Sequence, residues 1–318
     1  MNPLLLAPTV DTQAHVVAPL VNGLFTGCAY GLVALGLVLL YRSSRIFNFA
    51  QGEFASVGAF VASAFITGEG FLPKLPYPFA MIGGVVAAVL IALVTERAVV
   101  QPLFSRPRVV LVVGTVGVAL LLIALEGIVF PGAGRLLPPI SKALGTGDTP
   151  FKVDGIRISS TNLLELGALV TLGLLSVVFF RFSALGTAIL AVSQDVTAAR
   201  VVGISVSRVS MLTWGLAGFL AGVGGVVVGS DEAFLPGKFT GLVLVPAFAA
   251  AVLGGMTSMP GAFLGGILLG EVQAFGNADG LVWPGLRSLQ GGQAELLVFL
   301  VVLVVLLVRP RGLLGKDA

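Results

Sequence analysis

The chain has 318 residues, 57% of them hydrophobic and only 10% charged, and a mean hydropathy of +1.06. Soluble domains carry about 25% charged residues, so a water-soluble fold is excluded for want of polar surface. The net charge of +3 is too small for a nucleic-acid footprint, one cysteine (Cys28) excludes an intramolecular disulfide or a cysteine-rich metal site, and one histidine (His15) argues against a histidine-based catalytic site.

Long uncharged runs read as helical spans rather than barrel strands. The expected fold is all-α: a single polytopic membrane domain over residues 1–318, with about eight to nine transmembrane or re-entrant helices. Met1–Pro19 has no Lys, no Arg and no continuous apolar core, so no cleavable signal peptide is expected and residues 1–19 are assigned to the outside. The first span, Leu20–Leu40, carries Gly23, Gly27 and Gly31 on one face, a stripe for close helix packing within the chain or against another subunit.

A polar hinge, Arg42–Asn48, leads to a short second element, Phe49–Thr67, with Gln51 and Glu53 near its start. A carboxylate at the bilayer centre costs about 2.5–3.5 kcal/mol on insertion scales, so Glu53 belongs near an interface or inside the bundle. Asn48, Gln51 and Glu53 are a polar network fixing this helix end or part of a gate. After the Pro-rich Phe71–Pro78, the third span is expected at Phe79–Thr95 and closes with Glu96-Arg97; the fourth, Val109–Leu125, is followed by Glu126 at headgroup level. Residues 131–162 form an external polar insert in which Phe151–Ser159 alternates around Asp154-Gly155, a hairpin signal.

The fifth span, Leu163–Phe180, leads into Leu185–Arg208, the most polar helix-like stretch of the chain. Ala188, Ala191, Val192, Asp195, Ala198, Ala199 and Val202 share one helical face and Gly203 is a natural stop. A short amphipathic helix between two spans cannot cross a bilayer, and reads as a handle gripped by another protein. The sixth span is Val209–Ser230. Leu244–Gly276 follows as two short apolar pieces broken at Gly254-Gly255 and Pro260-Gly261, either crossing twice or re-entering. Broken helices in transporters border the transport path, which marks Gly254 and Gly255. Ala294–Val308 is the last span. With the 185–208 loop and the C-terminal tail inside, 11 of the 18 Lys and Arg lie on the cytoplasmic side, giving an outside N-terminus.

Thr197–Gly203 (TAARVVG) resembles a relaxed form of the EAA-xxx-G loop of ABC importer permeases, with Thr197 in place of the first Glu. Gly31–Phe60, containing NFAQGEF, resembles the early signature of the branched-chain amino acid ABC transporter permease family, which usually reads close to NFAHGE; here Gln51 stands in for the histidine. Thr95–Pro107 resembles its ER-xxx-PLR segment, with Phe104 where arginine is common, and Ala247–Gln273 with the terminal RPRGLLG completes the match. The resemblance leans toward the LivH-like membrane subunit.

It implies a permease subunit of an ATP-driven, binding-protein-dependent importer of branched-chain amino acids or a similar small solute. Its companions would be a second related permease, two cytoplasmic ATP-binding subunits and an external solute-binding protein, in a prokaryotic plasma membrane. ATP would be used by the partners, and this chain would bind no cofactor or metal and catalyse nothing itself. The sequence agrees on one point, for neither Gly237-Lys238-Phe239 nor Gly315-Lys316-Asp317 is a GxxxxGK[ST] phosphate loop. On this reading residues 185–208 are the coupling helix, with Gln194, Asp195, Thr197, Ala198, Ala199, Arg200 and Gly203 toward an ATPase. Asn48, Gln51, Glu53, Gly254 and Gly255 belong to the translocation path or its gate. The competing reading is a secondary transporter or channel for a small polar solute. It needs an ionisable group at mid-membrane, whereas Glu53, Glu96, Glu126 and Glu271 fall near predicted span ends.

Overall fold

The computed structural model describes residues 12–69, 72–132, 134–138, 151–153, 156–158, 160–277, 293–310 and 312–315. Residues 1–11, half of the 131–162 insert and 278–292, with Lys142, Asp148 and Arg287, lie outside them, as do Arg311 and Lys316 of the tail. The described chain is a bundle whose axis is α1 (Thr12–Ser44), packed along its length on α10 (Met259–Asn277). The glycine stripe of α1 makes that possible, and a second pair on α10 answers it. A Cβ on Gly27 would lie 2.6 Å from the Ile267 Cα, one on Gly266 2.3 Å from the Gly31 nitrogen, and one on Gly270 2.3 Å from the Gly27 Cα. Any side chain at these positions would part the helices, so the stripe serves packing within the chain.

Around this pair sit α2 (Gln51–Thr67), α8 (Val206–Asp231) and α9 (Val245–Gly254), the last entered through a π-helical turn at Thr240–Leu244. α8 occupies the middle, against α1, α2 and α3 (Tyr77–Thr95), and holds the fully buried Trp214 against Phe54. α3, α4 (Arg108–Val129), α5 (Ser160–Phe182) and α11 (Gln293–Val308) form the periphery. Their outer faces are apolar and exposed, from Phe79, Ile82 and Leu90 on α3 to Ile128 on α4 and Phe299 on α11. Exposed aliphatic faces of this extent belong against lipid.

Among the described residues four helices are long and apolar enough to cross a membrane: Pro19–Ser44, Tyr77–Leu103, Arg108–Val129 and Val206–Asp231. A fifth arises if Leu169–Phe182 and Ala184–Gln194, bent by 65°, are taken together. Several boundaries differ from the sequence expectation. α1 is already helical at Thr12 and runs through Pro19, so the helix begins within the segment assigned to the outside. α3 does not stop at Glu96-Arg97 but continues through a π-helical turn, Glu96–Val100, to Leu103. The charges that looked like a span end are carried on a register change within one helix.

The expected hairpin forms as β1 (Phe151–Val153) and β2 (Ile156–Ile158), antiparallel with Phe151 opposite Ile158. Nearby chain is anchored by a bridge between Arg135 and Phe234, with the Arg135 guanidinium paired to Glu69. The broken 242–276 region resolves into a 15-residue helix, Thr240–Gly254, and the 19-residue α10. At ~1.5 Å per residue the first reaches ~22 Å, short of the ~30 Å hydrocarbon core.

Candidate functional site

The polar loop between α5 and α8 is two helices, not one. α6 (Ala184–Gln194) and α7 (Val196–Val201) meet at Asp195, whose extended backbone (φ −148°, ψ 109°) ends the first and opens the second. The Asp195 carboxylate accepts from the amides of Thr197 (2.7 Å) and Ala198 (3.0 Å), the N-cap arrangement that satisfies free donors at a helix start. This corrects the single continuous face expected over 188–202. Its inward stripe stops at Val192 and resumes at Ala199, both buried in the chain's own bundle, so Ala199 is packing rather than contact surface. Gln194, Asp195, Thr197, Ala198, Arg200 and Gly203 are exposed. Gly203 closes α7 with φ +84°, and nothing lies within 4 Å of where its Cβ would stand. Val202, expected on the same face as the buried Val192 and Ala199, is instead 73% exposed at the tip, beside Val201 at 83%.

The loop is tied to α3 at its far root. Arg97 donates to Gln101 Oε1, and Gln101 Nε2 donates to Ser207 Oγ at 2.8 Å in the first turn of α8. The ER-xxx-PL segment thus supports the start of the helix that leaves the loop. Sequence reading held the two motifs apart because 106 residues separate them.

At the head of α2 the expected polar network divides in two. Asn48 Nδ2 donates to Gln51 Oε1 (3.2 Å), Asn48 Oδ1 accepts from the Ala50 amide (3.0 Å), and Gln51 Nε2 donates to the Ala217 carbonyl of α8 (3.0 Å). Asn48 and Gln51 are buried and their bonds knit α2 to α8. Glu53, fully buried, turns elsewhere: its Oε1 accepts from Thr240 Oγ1 at 2.6 Å, at the π-helical turn before α9. Glu126 is inside the bundle rather than at headgroup level, 3% exposed, with Oε2 accepting from Ser56 Oγ at 2.8 Å. Glu96 is also buried. The placement of these carboxylates at span ends, used against a carrier, therefore does not keep them out of the bundle interior.

Gly254 and Gly255 are not with that network. A Cβ on Gly254 would lie 2.0 Å from the Gly261 carbonyl oxygen, and Gly255 turns the chain at φ +98°. The tail folds back on this turn, the amides of Leu313 and Leu314 donating to the carbonyls of Leu253 and Gly254. The pair forms the α9–α10 turn, at the end of the bundle that carries the tail.

The opposite end of α1 opens into a cavity of about 310 Å³. α1 contributes Asn22, Thr26 and Tyr30, four residues apart on one face, and α10 contributes Gln273 and Asn277. Tyr30 Oη donates to Gln273 Oε1 at 2.9 Å, and Asp231 and Glu232 at the end of α8 complete a polar, acidic rim. The sequence carried a signal for it in the i, i+4, i+8 polar row beside the glycine stripe.

Close-packed small-residue helices, an apolar outer belt and a capped polar loop at one end define a polytopic helical membrane protein of permease type. The chain belongs to the family described as branched-chain amino acid transport system / permease component, matched over residues 20–308. It is 30% identical over 313 residues to the high-affinity branched-chain amino acid transport system permease protein BraD of Pseudomonas aeruginosa, covering 95% of this chain and 97% of BraD. To the corresponding protein LivH of Escherichia coli strain K12 it is 27% identical over 302 residues, covering 93% and 94%. The galactofuranose transporter permease protein YtfT of the same strain is 27% identical over 278 residues, covering 86% of this chain and 75% of YtfT. The family expected from the motifs is the one found.

Proposed function

We propose that this chain is the membrane-spanning subunit of an ATP-driven, binding-protein-dependent importer for branched-chain amino acids or a similar small solute. It would pair with a second related permease, favoured over a second copy of itself, two cytoplasmic ATP-binding subunits and an external solute-binding protein. Its N-terminus would lie outside and its C-terminus inside a prokaryotic plasma membrane. The observation that carries this reading is the α6–α7 loop: a capped kink that presents two exposed valines on a root braced by α1, α3 and α8. An apolar tip on the polar end of a membrane protein is a surface for a partner. Closure of the ATPases on it would drive the bundle between inward- and outward-open states.

The solute would enter at the cavity beside Tyr30, whose acidic rim suits the ammonium group of an amino acid. The size, about 310 Å³, is at the small end of the ~300–1,000 Å³ typical of ligand sites. Specificity would rest mainly with the binding protein, and branched-chain amino acids are favoured by the relatives BraD and LivH. The buried Glu53 and Glu126 keep the secondary-carrier reading in play, since a proton- or sodium-coupled carrier uses such groups.

One experiment separates the two: solute uptake and ATP hydrolysis in vesicles carrying the chain with its candidate partners, wild type against Asp195→Arg and Gly203→Trp. The importer predicts assembled variants that lose solute-stimulated ATP hydrolysis. Nucleotide-independent uptake by the chain alone, unchanged in both variants, would overturn it.

A further inference from the structure

A second cavity, of about 400 Å³, opens behind α6 at the end of the bundle that carries the loop. Its walls are the last turn of α1, the last turn of α5, α6 itself and the turn entering α10. Two arginines line it, Arg42 from α1 and Arg181 from α5, together with Thr187, Thr257 and Ser258. No described carboxylate lies within 4.0 Å of either arginine; the one such pair among the described residues joins Arg135 to Glu69 at the other end. The Arg181 guanidinium rests 5.5 Å from the centre of the Phe182 ring. Much of the rest of the wall is apolar, with Leu39, Val177, Phe180 and Leu190 among it.

Two residues of one charge, lining one cavity from separate helices with no described carboxylate paired to either, call for an anion. The apolar half of the wall says that the anion carries hydrocarbon. Its position agrees, because the apolar helices α1 and α5 both end here, beside the polar α6–α7 loop. The neighbouring outer face of α5, with Val178 52%, Phe179 45% and Phe182 75% exposed, gives acyl chains a surface beside the mouth. Basic pockets between membrane helices bind anionic headgroups in this way.

We infer that this cavity is a binding site for one anionic phospholipid, its phosphate held between Arg42 and Arg181 and the hydroxyls, its chains along α5. The lipid would sit against the inner side of α6, between the loop and the bundle, and so stiffen the loop's root. The site does not depend on which solute is carried or on the identity of the partners.

The test is native mass spectrometry of the full chain, with any subunits that accompany it, released from nanodiscs of mixed phosphatidylcholine and phosphatidylglycerol. Wild type should retain phosphatidylglycerol selectively. Arg42→Gln with Arg181→Gln should lower that selectivity about tenfold or more, while Arg42→Lys with Arg181→Lys keeps most of it. Leu190→Trp fills the cavity from α6 without touching a charge, and should also lower retention; it decides the matter if the charge variant fails to fold. Equal retention of both lipids by wild type, or unchanged selectivity in Leu190→Trp, would overturn the site. So would displacement of the lipid by free glycerol phosphate, which would make the ligand a soluble phosphate instead.

Discussion

Gln51 stands where the family's motif usually carries histidine, and its amide uses a donor and an acceptor at once. Its Oε1 takes the Asn48 amide and its Nε2 reaches the Ala217 carbonyl, so three segments meet at one buried side chain. Replacing it by leucine strands the Asn48 donor away from water, and leaving a buried polar group unpaired costs about 1–3 kcal/mol. Gln51→Leu should lower the thermal unfolding midpoint of the chain in detergent, and so should Asn48→Ala, which strands the buried Ala50 amide and Gln51 Oε1 instead. Asp195 is a second residue whose role is geometric before it is electrostatic. Asp195→Ala should loosen α7 by about 0.5–2 kcal/mol, read as faster hydrogen exchange at the Thr197 and Ala198 amides, and Asp195→Asn should leave both protected. Equal exchange in the alanine variant would show that packing of Ala199, not the cap, holds α7.

Between elements, the closest packing is the glycine contact of α1 with α10. Gly266→Ala or Gly270→Ala places a methyl where a backbone atom of α1 now lies 2.3 Å away, and such overpacking costs about 1–3 kcal/mol. Gly117→Ala on the open face of α4, with nothing within 4 Å, should be neutral or slightly stabilising through helix propensity. Unfolding midpoints of the three variants test this, and a Gly117→Ala chain as damaged as Gly266→Ala would sink the argument. The α1 half of this contact was legible, because small residues every fourth position survive as a pattern in sequence. The α10 half was not singled out, since Gly266 and Gly270 sit among many glycines and the partner is some 240 residues away. Hydropathy likewise located α4 but misjudged Glu126, because it reports depth along a span and not whether a side chain faces lipid or Ser56. The kink at Asp195 escaped for a related reason: periodicity averages over a window, while a cap is a single backbone torsion. Glu96-Arg97 read as a span end because charge was counted, and the π-helical turn that turns Glu96 into the bundle leaves no mark in composition.

Across the whole molecule the two ends differ in kind. One end opens between α1 and α10 into a polar, acid-rimmed cavity; the other gathers the α6–α7 loop, the α9–α10 turn and the returning tail. The α6–α7 loop is joined to the rest by buried Ile189, Val192 and Ala199 and by the Gln101–Ser207 bond, so a push on it is delivered to α1, α3 and α8 together. Its tip carries Val201 and Val202, exposed to such a degree that neither contributes to the chain's own packing. That separation makes a clean test of coupling. Val201→Ser with Val202→Ser removes the apolar tip without adding charge at the C-terminus of α7, and leaves the Asp195 cap, Ala199, the Gly203 turn and the Val202 backbone bond to Ala198 in place. Surface substitutions away from caps and cores stay within about ±0.5 kcal/mol, so the unfolding midpoint of the isolated chain should not move measurably. Two fully desolvated valines at the centre of an interface are worth about 1.5–3 kcal/mol each, so co-purification of the ATP-binding subunits and ATP-driven uptake should each fall at least tenfold. A carrier working without an ATPase predicts unchanged uptake from the same protein. A drop in both uptake and unfolding midpoint would instead mean that the valines pack within the bundle, against their exposure in the structure.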